Sequence, residues 1–571
     1  MKYTEEKVAK QKRRFISEDF KVENWPQVQK IYEKILAKEV EGPDELIELL
    51  EEFTELGKII GETMAWLYID MTVHADQKEK RDIFNKFYSE IIANSQKYEF
   101  KFEKKFYENK YRTALPEEKY NHLNRIISNS MELYREKNIP LKVKQQELSN
   151  LYGEIISKMT VEFDGEEKTL QQMGIYQKDQ NRDVRKEAFM LSSNRLVEDQ
   201  KKLNNLFDEL LSVRVKIAHN AGFDNYRDFK HQEKGRFDYT PEDLHKFHDS
   251  VESEVLPYLK ELNEIRKEKL GIESVKPWDT SVDLDGKNLK PFDSIDEFIE
   301  NGIETLYRVD KDFGIELEKM KNTSFLDLEN RKGKSPGGYC MPLAEHNSSF
   351  IFMNAVGLQR DLVTLVHESG HTMHNMLSKD IKIAYYKDTP SEIAELASMS
   401  MEFLTMEHWS EFYDDKNDLK KAQREQLEGT LKFMPWCMIV DAFQQWIYTH
   451  DDHNQKERAK YFAYLMDRFN SNVDWDEAID YKMHKWLRQL HIFEVPFYYI
   501  EYGMSQLGAL AVYRNYRRKP EKAVEKYKQF LSIAYSKPLK DTYRTAGIEF
   551  DFSREYIGGL VDFVREELDK I

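Results

Sequence analysis

The chain has 571 residues, a third of them charged, with a net charge of −17 at pH 7 and a mean hydropathy of −0.73. No basic cluster exceeds short runs such as residues 10–14 (KQKRR), which argues against nucleic acid and anionic membrane surfaces as partners. No stretch approaches the ~18 apolar residues of a membrane span, and the opening MKYTEEKVAKQKRRF lacks a signal-peptide core.

Residues 1–158 read as successive charged amphipathic helices, punctuated by Pro26, Pro43, Pro116 and Pro140. Residues 160–170 (TVEFDGEEKTL) then alternate around Asp164-Gly165, a hairpin signal. Helical patterning resumes near Asp183 and runs past Lys269, and residues 277–294 read as irregular. This suggests an N-terminal helical region with a hairpin (1–190) and a second domain (191–571) that carries the motifs below. Residues 322–340 and 347–354 are strand-like and flank a turn-rich stretch, and everything after about Gln359 reads as helix. The expected fold is mainly α, with one small β-sheet beside the first of these late helices. Cys340 and Cys437 stand far apart in no CxxC arrangement, which favours a reducing compartment, the cytoplasm.

That late helix carries His367-Glu368-Ser369-Gly370-His371. Histidines four apart share one helix face, so both imidazoles can grip one zinc ion, with Glu368 beside it where a general base is needed. Leu362, Leu365, Val366, Met373, Met376 and Leu377 form an apolar stripe almost opposite the histidines. The competing reading is a surface helix with incidental histidines. Candidates for a third ligand are His374, Glu392, Glu395 and Glu402. His374 shares the histidine face but lies about 10.5 Å along the axis from His367, too far to share one ion. Thr389-Pro390-Ser391-Glu392 predicts a capping box, with Thr389 as cap and Glu392 closing it. Glu395 sits among Ile393, Ala394, Leu396, Ala397 and Met399, where a buried carboxylate needs a metal or an ion-pair partner. Glu402, two turns on, is better placed to support a ligand or touch substrate.

HESGHTMH followed by AELASMSME (394–402) resembles the thimet oligopeptidase and oligoendopeptidase F family of zinc metallopeptidases, in particular its bacterial branch with the Pz-peptidases. The resemblance implies one zinc per chain, with Glu395 as third ligand beside His367 and His371. Gly337, Gly338 and Tyr339 look like the family's substrate loop. Residues 491–502 resemble its late histidine and tyrosine motif, which makes His491, Tyr499 and Tyr502 candidate donors to a developing oxyanion. This chain departs from the thimet-type pattern at Glu494, Val495 and Pro496, where a glycine-tyrosine pair is expected. The implied fold is two helical lobes around a deep substrate channel, with a zincin-like core. The implied activity is endopeptidase cleavage of short unstructured peptides. A dipeptidyl carboxypeptidase would use the same ligands. A non-catalytic peptide-binding protein would have no need of Glu368.

Overall fold

The structure, a computed structural model, describes residues 10–286, 289–450 and 452–571. Residues 1–9, on which the lack of a signal-peptide core was partly read, lie outside the described residues. The fold is 69% helical, with two small sheets among the described residues. Among the described residues no helix is long and apolar enough to cross a membrane.

The hairpin forms where Asp-Gly predicts it. Strands β1 (Thr160–Phe163) and β2 (Glu166–Thr169) pair antiparallel, and the reversal falls on Asp164 and Gly165 with φ of 55° and 74°. Those left-handed values are what a tight two-residue hairpin turn requires.

The second sheet contains β3 (Leu326–Glu329), β4 (Tyr339–Leu343) and β5 (Ser348–Ala355), in the order β3–β5–β4. Central β5 runs parallel to β3 and antiparallel to β4, with Cys340 opposite Ile351. Nearly every residue of β5 is buried, so the period-two alternation of a half-exposed strand is lost. Lys334 anchors the loop between β3 and β4. Its fully buried ammonium lies 2.9 Å from Asp327 Oδ1, donates to the Asp327 and Glu329 carbonyls, and stands over the Phe352 ring. A buried lysine satisfied this way holds the turn rigidly.

The described chain sorts into two compact units, each drawn from three stretches. One comprises Met1–Glu132, Leu289–Gln423 and Gly508–Phe550; the other Leu133–Asn288, Arg424–Leu507 and Asp551–Ile571. These units are drawn differently from the sequential division near residue 190. Periodicity shows which face a helix buries but not which remote helix covers it.

In the first unit the N-terminal helices bury Tyr32, Leu46, Leu50, Phe53, Phe102, Phe106 and Leu123 in one cluster. Glu103 is buried beside it, accepting from Ser130 Oγ (2.9 Å) and Tyr385 Oη (3.3 Å). Burial pushes its carboxyl up to about 7 despite those hydrogen bonds. The folded state therefore holds this proton more tightly than the unfolded chain does. Stability from this group falls as pH rises from the ordinary carboxylate range to about 7, and is flat above. Glu103→Gln is expected to raise the melting temperature at pH 8 but not near pH 4, by the equivalent of up to about 3 kcal/mol. Thermal unfolding at the two pH values checks this; equal shifts at both would refute it.

Candidate metal centre and the residues around it

The histidine helix spans Gln359–Leu377, and Asp361 secures its start by accepting from the backbone N–H groups of Val356, Gly357 and Leu358. A carboxylate there also complements the positive end of the helix dipole. The return helix spans Ser391–Met406. Its start corrects the predicted capping box. Pro390, not Thr389, is the N-cap, and it offers no side-chain acceptor. Its carbonyl instead takes the Ile393 and Ala394 N–H groups. The extended conformation of Pro390 (ψ 151°) shifts the helix one residue on, and Glu392 is buried in the first turn.

The two helices pack closely because their contact is made of small residues. A Cβ on Gly370 would stand 2.6 Å from Ser398 Cα and 2.8 Å from the Ala397 carbonyl. The return helix is also held by Tyr527 and Tyr543, which donate their hydroxyls to the Ala397 and Glu392 carbonyls. This packing brings Glu395 to the histidine pair. Glu395 Oε2 lies 3.4 Å from His367 Nε2 and 3.9 Å from His371 Nε2, and the three donor atoms lie within 4.8 Å of one another. Donors around a tetrahedral zinc stand roughly 3.3–3.6 Å apart, given ~2.0–2.2 Å bonds. Two imidazole nitrogens and one carboxylate oxygen are also the ligand types of a catalytic zinc site. The residues fit the ion.

Around the three candidate ligands, further groups fix their orientation. His367 Nδ1–H donates to Glu402 Oε1 at 2.7 Å, which turns Nε2 towards Glu395 and His371. Ser398 Oγ donates to Glu395 Oε2 at 3.1 Å. Burial opposes charge on His367, but its hydrogen bonds to Glu395 and Glu402 and their charges hold its pKa well above the ordinary value. Burial likewise works against the Glu395 carboxylate, yet the bond from His367 and the two histidine charges bring it down to about 2. His371, with less compensation, is pushed down to about 4 by burial. The pocket thus concentrates negative potential where a cation would sit. Glu402→Gln should weaken zinc binding about 10- to 100-fold without unfolding the protein, read by competition against a chromogenic chelator. Unchanged affinity would remove the orienting role.

Glu368 is not among the three converging residues, and it is 7% exposed. Burial raises its carboxyl to about 7; the Cys340 backbone N–H and the His367 charge favour its ionised form, and Glu395 opposes it. The Cys340 contact comes from edge strand β4. His374 is not in the cluster. It is buried, with its ring 6.0 Å from that of Phe530, and burial lowers its pKa to about 3.

The glycine loop leads into β4. Gly337 has φ of 99°, so the turn itself requires glycine there, and a Cβ on Gly338 would stand 3.3 Å from the Phe352 carbonyl. Tyr339 stacks on Phe352 with centroids 4.8 Å apart and shares a 2.6 Å hydrogen bond with Thr72.

In the second unit, His491, Tyr498, Tyr499 and Tyr502 form one aromatic cluster. The His491 ring lies 4.8 Å from Tyr499 and 5.9 Å from Tyr502. Tyr499 opens the helix Tyr499–Arg518, and His491 stands in the short helix Leu490–Glu494. Two buried arginines clamp the segment between them. Arg214 donates to the Ile492 and Phe493 carbonyls. Arg236 pairs with Glu501 at 2.7 Å and donates to the Phe497 carbonyl. Phe497 adopts φ of 64°, a strained value for a residue with a side chain, and its N–H is held by Gln444 Oε1 at 2.9 Å. None of Arg214, Arg236 or Gln444 has a local sequence signal, since each acts over dozens or hundreds of positions.

A family model described as Peptidase family M3 matches residues 175–561. The chain is 23% identical over 397 residues to an "Oligoendopeptidase F homolog" of Lactococcus lactis subsp. lactis (strain IL1403), covering 68% of this chain and 64% of that protein. It is 24% identical over 328 residues to "Oligopeptidase PepF" of Bacillus subtilis (strain 168), covering 55% and 47%. The matches thus span less than two thirds of these relatives' own lengths. Among solved structures, Pz peptidase A with an inhibitor superposes with a TM-score of 0.89 at 25% identity, covering 97% of this chain and 99% of that one. Oligoendopeptidase-F from Enterococcus faecium shares the fold, with a TM-score of 0.64 at 16% identity over 96% of each chain.

Proposed function

Because this chain belongs to peptidase family M3, a family of metallopeptidases, we propose that it is a zinc-dependent oligoendopeptidase acting on internal bonds of short unstructured peptides. The observation that carries this reading is the His367–His371–Glu395 triangle with buried Glu368 beside it. His367, His371 and Glu395 would hold one zinc ion, which supplies Lewis-acid polarisation and a more acidic water. Glu368 accepts the proton of the attacking water and passes it to the leaving nitrogen. Glu402 keeps His367 in the tautomer that ligation needs. An extended substrate adds to the edge strand β4 by main-chain hydrogen bonds, with Gly337, Gly338 and Tyr339 at its start. Such binding is tolerant of sequence, as a general oligopeptidase requires. The names of the Lactococcus and Bacillus relatives support the same substrate class, and two free cysteines support a cytoplasmic setting.

Tyr502, Tyr499 and His491 are assigned the developing oxyanion. Tyr502→Phe is expected to lower kcat about 10²- to 10³-fold, with a smaller change in KM. Full turnover in that variant would end its role.

The test of the whole reading is an internally quenched peptide of about ten residues, blocked at both ends, together with metal content. Internal cleavage with about one zinc per chain, abolished by chelation and restored by zinc, supports an oligoendopeptidase. Cleavage only when the C-terminus is free indicates the dipeptidyl carboxypeptidase alternative. Bound zinc without cleavage of either peptide indicates a binding role.

A further inference from the structure

The His491 ring is held by a chain of hydrogen bonds whose direction can be read from chemistry alone. Trp436 Nε1–H donates to Gln489 Oε1 at 2.9 Å, and Gln489 Nε2 lies 2.6 Å from His491 Nδ1. An indole N–H can only donate, so the Gln489 carbonyl oxygen must be the atom that faces it. The amide NH2 then faces His491, and it too can only donate. Nδ1 must therefore present its lone pair, which puts the single ring proton on Nε2. His491 Nε2 itself makes no hydrogen bond among the described residues, and it shares the cluster with Tyr499 and Tyr502.

We propose that Trp436 and Gln489 are positioning residues that lock His491 as the neutral Nε2–H tautomer, a hydrogen-bond donor aimed at a substrate oxygen. The identity of that oxygen rests on the peptidase reading; the tautomer does not. Burial moves His491 in the same direction, lowering its pKa to about 4, so the ring stays neutral where the enzyme works. Trp436 is itself held fast. The Lys485 ammonium stands 4.2 Å over its ring, and Phe462 packs edge-on at 6.1 Å. The first link of the chain is thus rigid, as a device that sets a proton position requires.

The arrangement has a mechanistic consequence. An imidazolium donor would be lost as pH rises through the usual histidine range, whereas a neutral Nε2–H donor persists. Glutamine is suited to the middle place because it accepts at one end and donates at the other. Glutamate can only accept, and in this position it would draw the proton to Nδ1 or charge the ring.

The experiment is nitrogen NMR on the full-length protein labelled with ring-15N histidine, with the His491 signals assigned by their absence in His491→Asn. The expected parent spectrum has Nδ1 pyridine-like and Nε2 pyrrole-like from about pH 6 to 8. In Gln489→Glu, Nδ1 should become pyrrole-like, kcat should fall about 10- to 100-fold, and KM should move by less than about threefold. Trp436→Phe, which frees the amide to rotate, should give averaged or mixed nitrogen signals. Circular dichroism and zinc content check that the variants are folded. A pyrrole-like Nδ1 in the parent, or an unchanged pattern in folded Gln489→Glu, overturns the proposal. The predicted nitrogen pattern in a protein that cleaves no peptide would support the tautomer and count against the peptidase reading instead.

Discussion

Replacing Glu368 with glutamine is expected to lower kcat by about 10³-fold or more while leaving zinc content and KM nearly unchanged. Three observations set that size. Glu368 lies between the two histidines in sequence, yet it is not among the three groups that converge on a common point. Its removal therefore costs no ligand. Its carboxyl is buried and raised to about 7, so proton gain and loss are nearly balanced near neutral pH, as a shuttling base requires. Glutamine has almost the same shape and can still meet the Cys340 N–H, so the neighbouring strand has no reason to move. Glu395→Gln makes the contrast, because it weakens a ligand and should lose zinc and turnover together. Steady-state kinetics and metal analysis on both variants separate the roles. Glu368→Gln with more than about a tenth of parental turnover would remove it from the chemistry, since general bases contribute at least ~10²-fold.

How much of this centre was legible in the sequence follows from the range of the interactions. The histidine pair is a local pattern, one helical turn, and it stands as spacing predicts. Glu395 was legible because a carboxylate among apolar helix neighbours demands a partner, and the resemblance placed it at the third ligand position. Spacing alone leaves Glu402 between a supporting and a substrate-facing place; its 2.7 Å bond to His367 favours the first. The hairpin was legible because Asp164-Gly165 is itself the cause of the reversal. The capping box failed for an equally local reason. Two adjacent residues, Thr389 and Pro390, could both end the loop, and Pro390 does. The three-stretch make-up of each unit had no local signal. Nor did the Trp436–Gln489–His491 chain, in which the first link joins residues 53 positions apart. Such contacts arise from packing, and packing leaves no period in the sequence.

Gly370→Ala is expected to weaken zinc binding at least about tenfold and to destabilise the fold by about 1–3 kcal/mol, although it adds one methyl group to a helix. In an exposed helix the same change would stabilise by up to about 1 kcal/mol, because alanine is the better helix former. The sign reverses here because the new Cβ would meet the Ser398 Cα and the Ala397 carbonyl at 2.6 and 2.8 Å. Neither atom can rotate away, since both belong to the backbone of the return helix. That helix is also held by the hydroxyls of Tyr527 and Tyr543. The two helices must therefore separate or tilt. Glu395 lies three residues from Ser398, and any shift of the helix is transmitted to its carboxylate. Metal sites tolerate departures of only about 0.2 Å in ligand distance. Gly61→Ala supplies the control, because no atom lies within 4 Å of its Cβ position in the helix Pro43–Val73. Chelator competition and thermal unfolding, with and without zinc, measure both effects. If Gly370→Ala bound zinc as tightly as the parent while Gly61→Ala behaved as expected, the glycine contact would not be what sets the ligand triangle. A loss confined to Gly370→Ala would tie the metal geometry to a single missing side chain on the histidine helix.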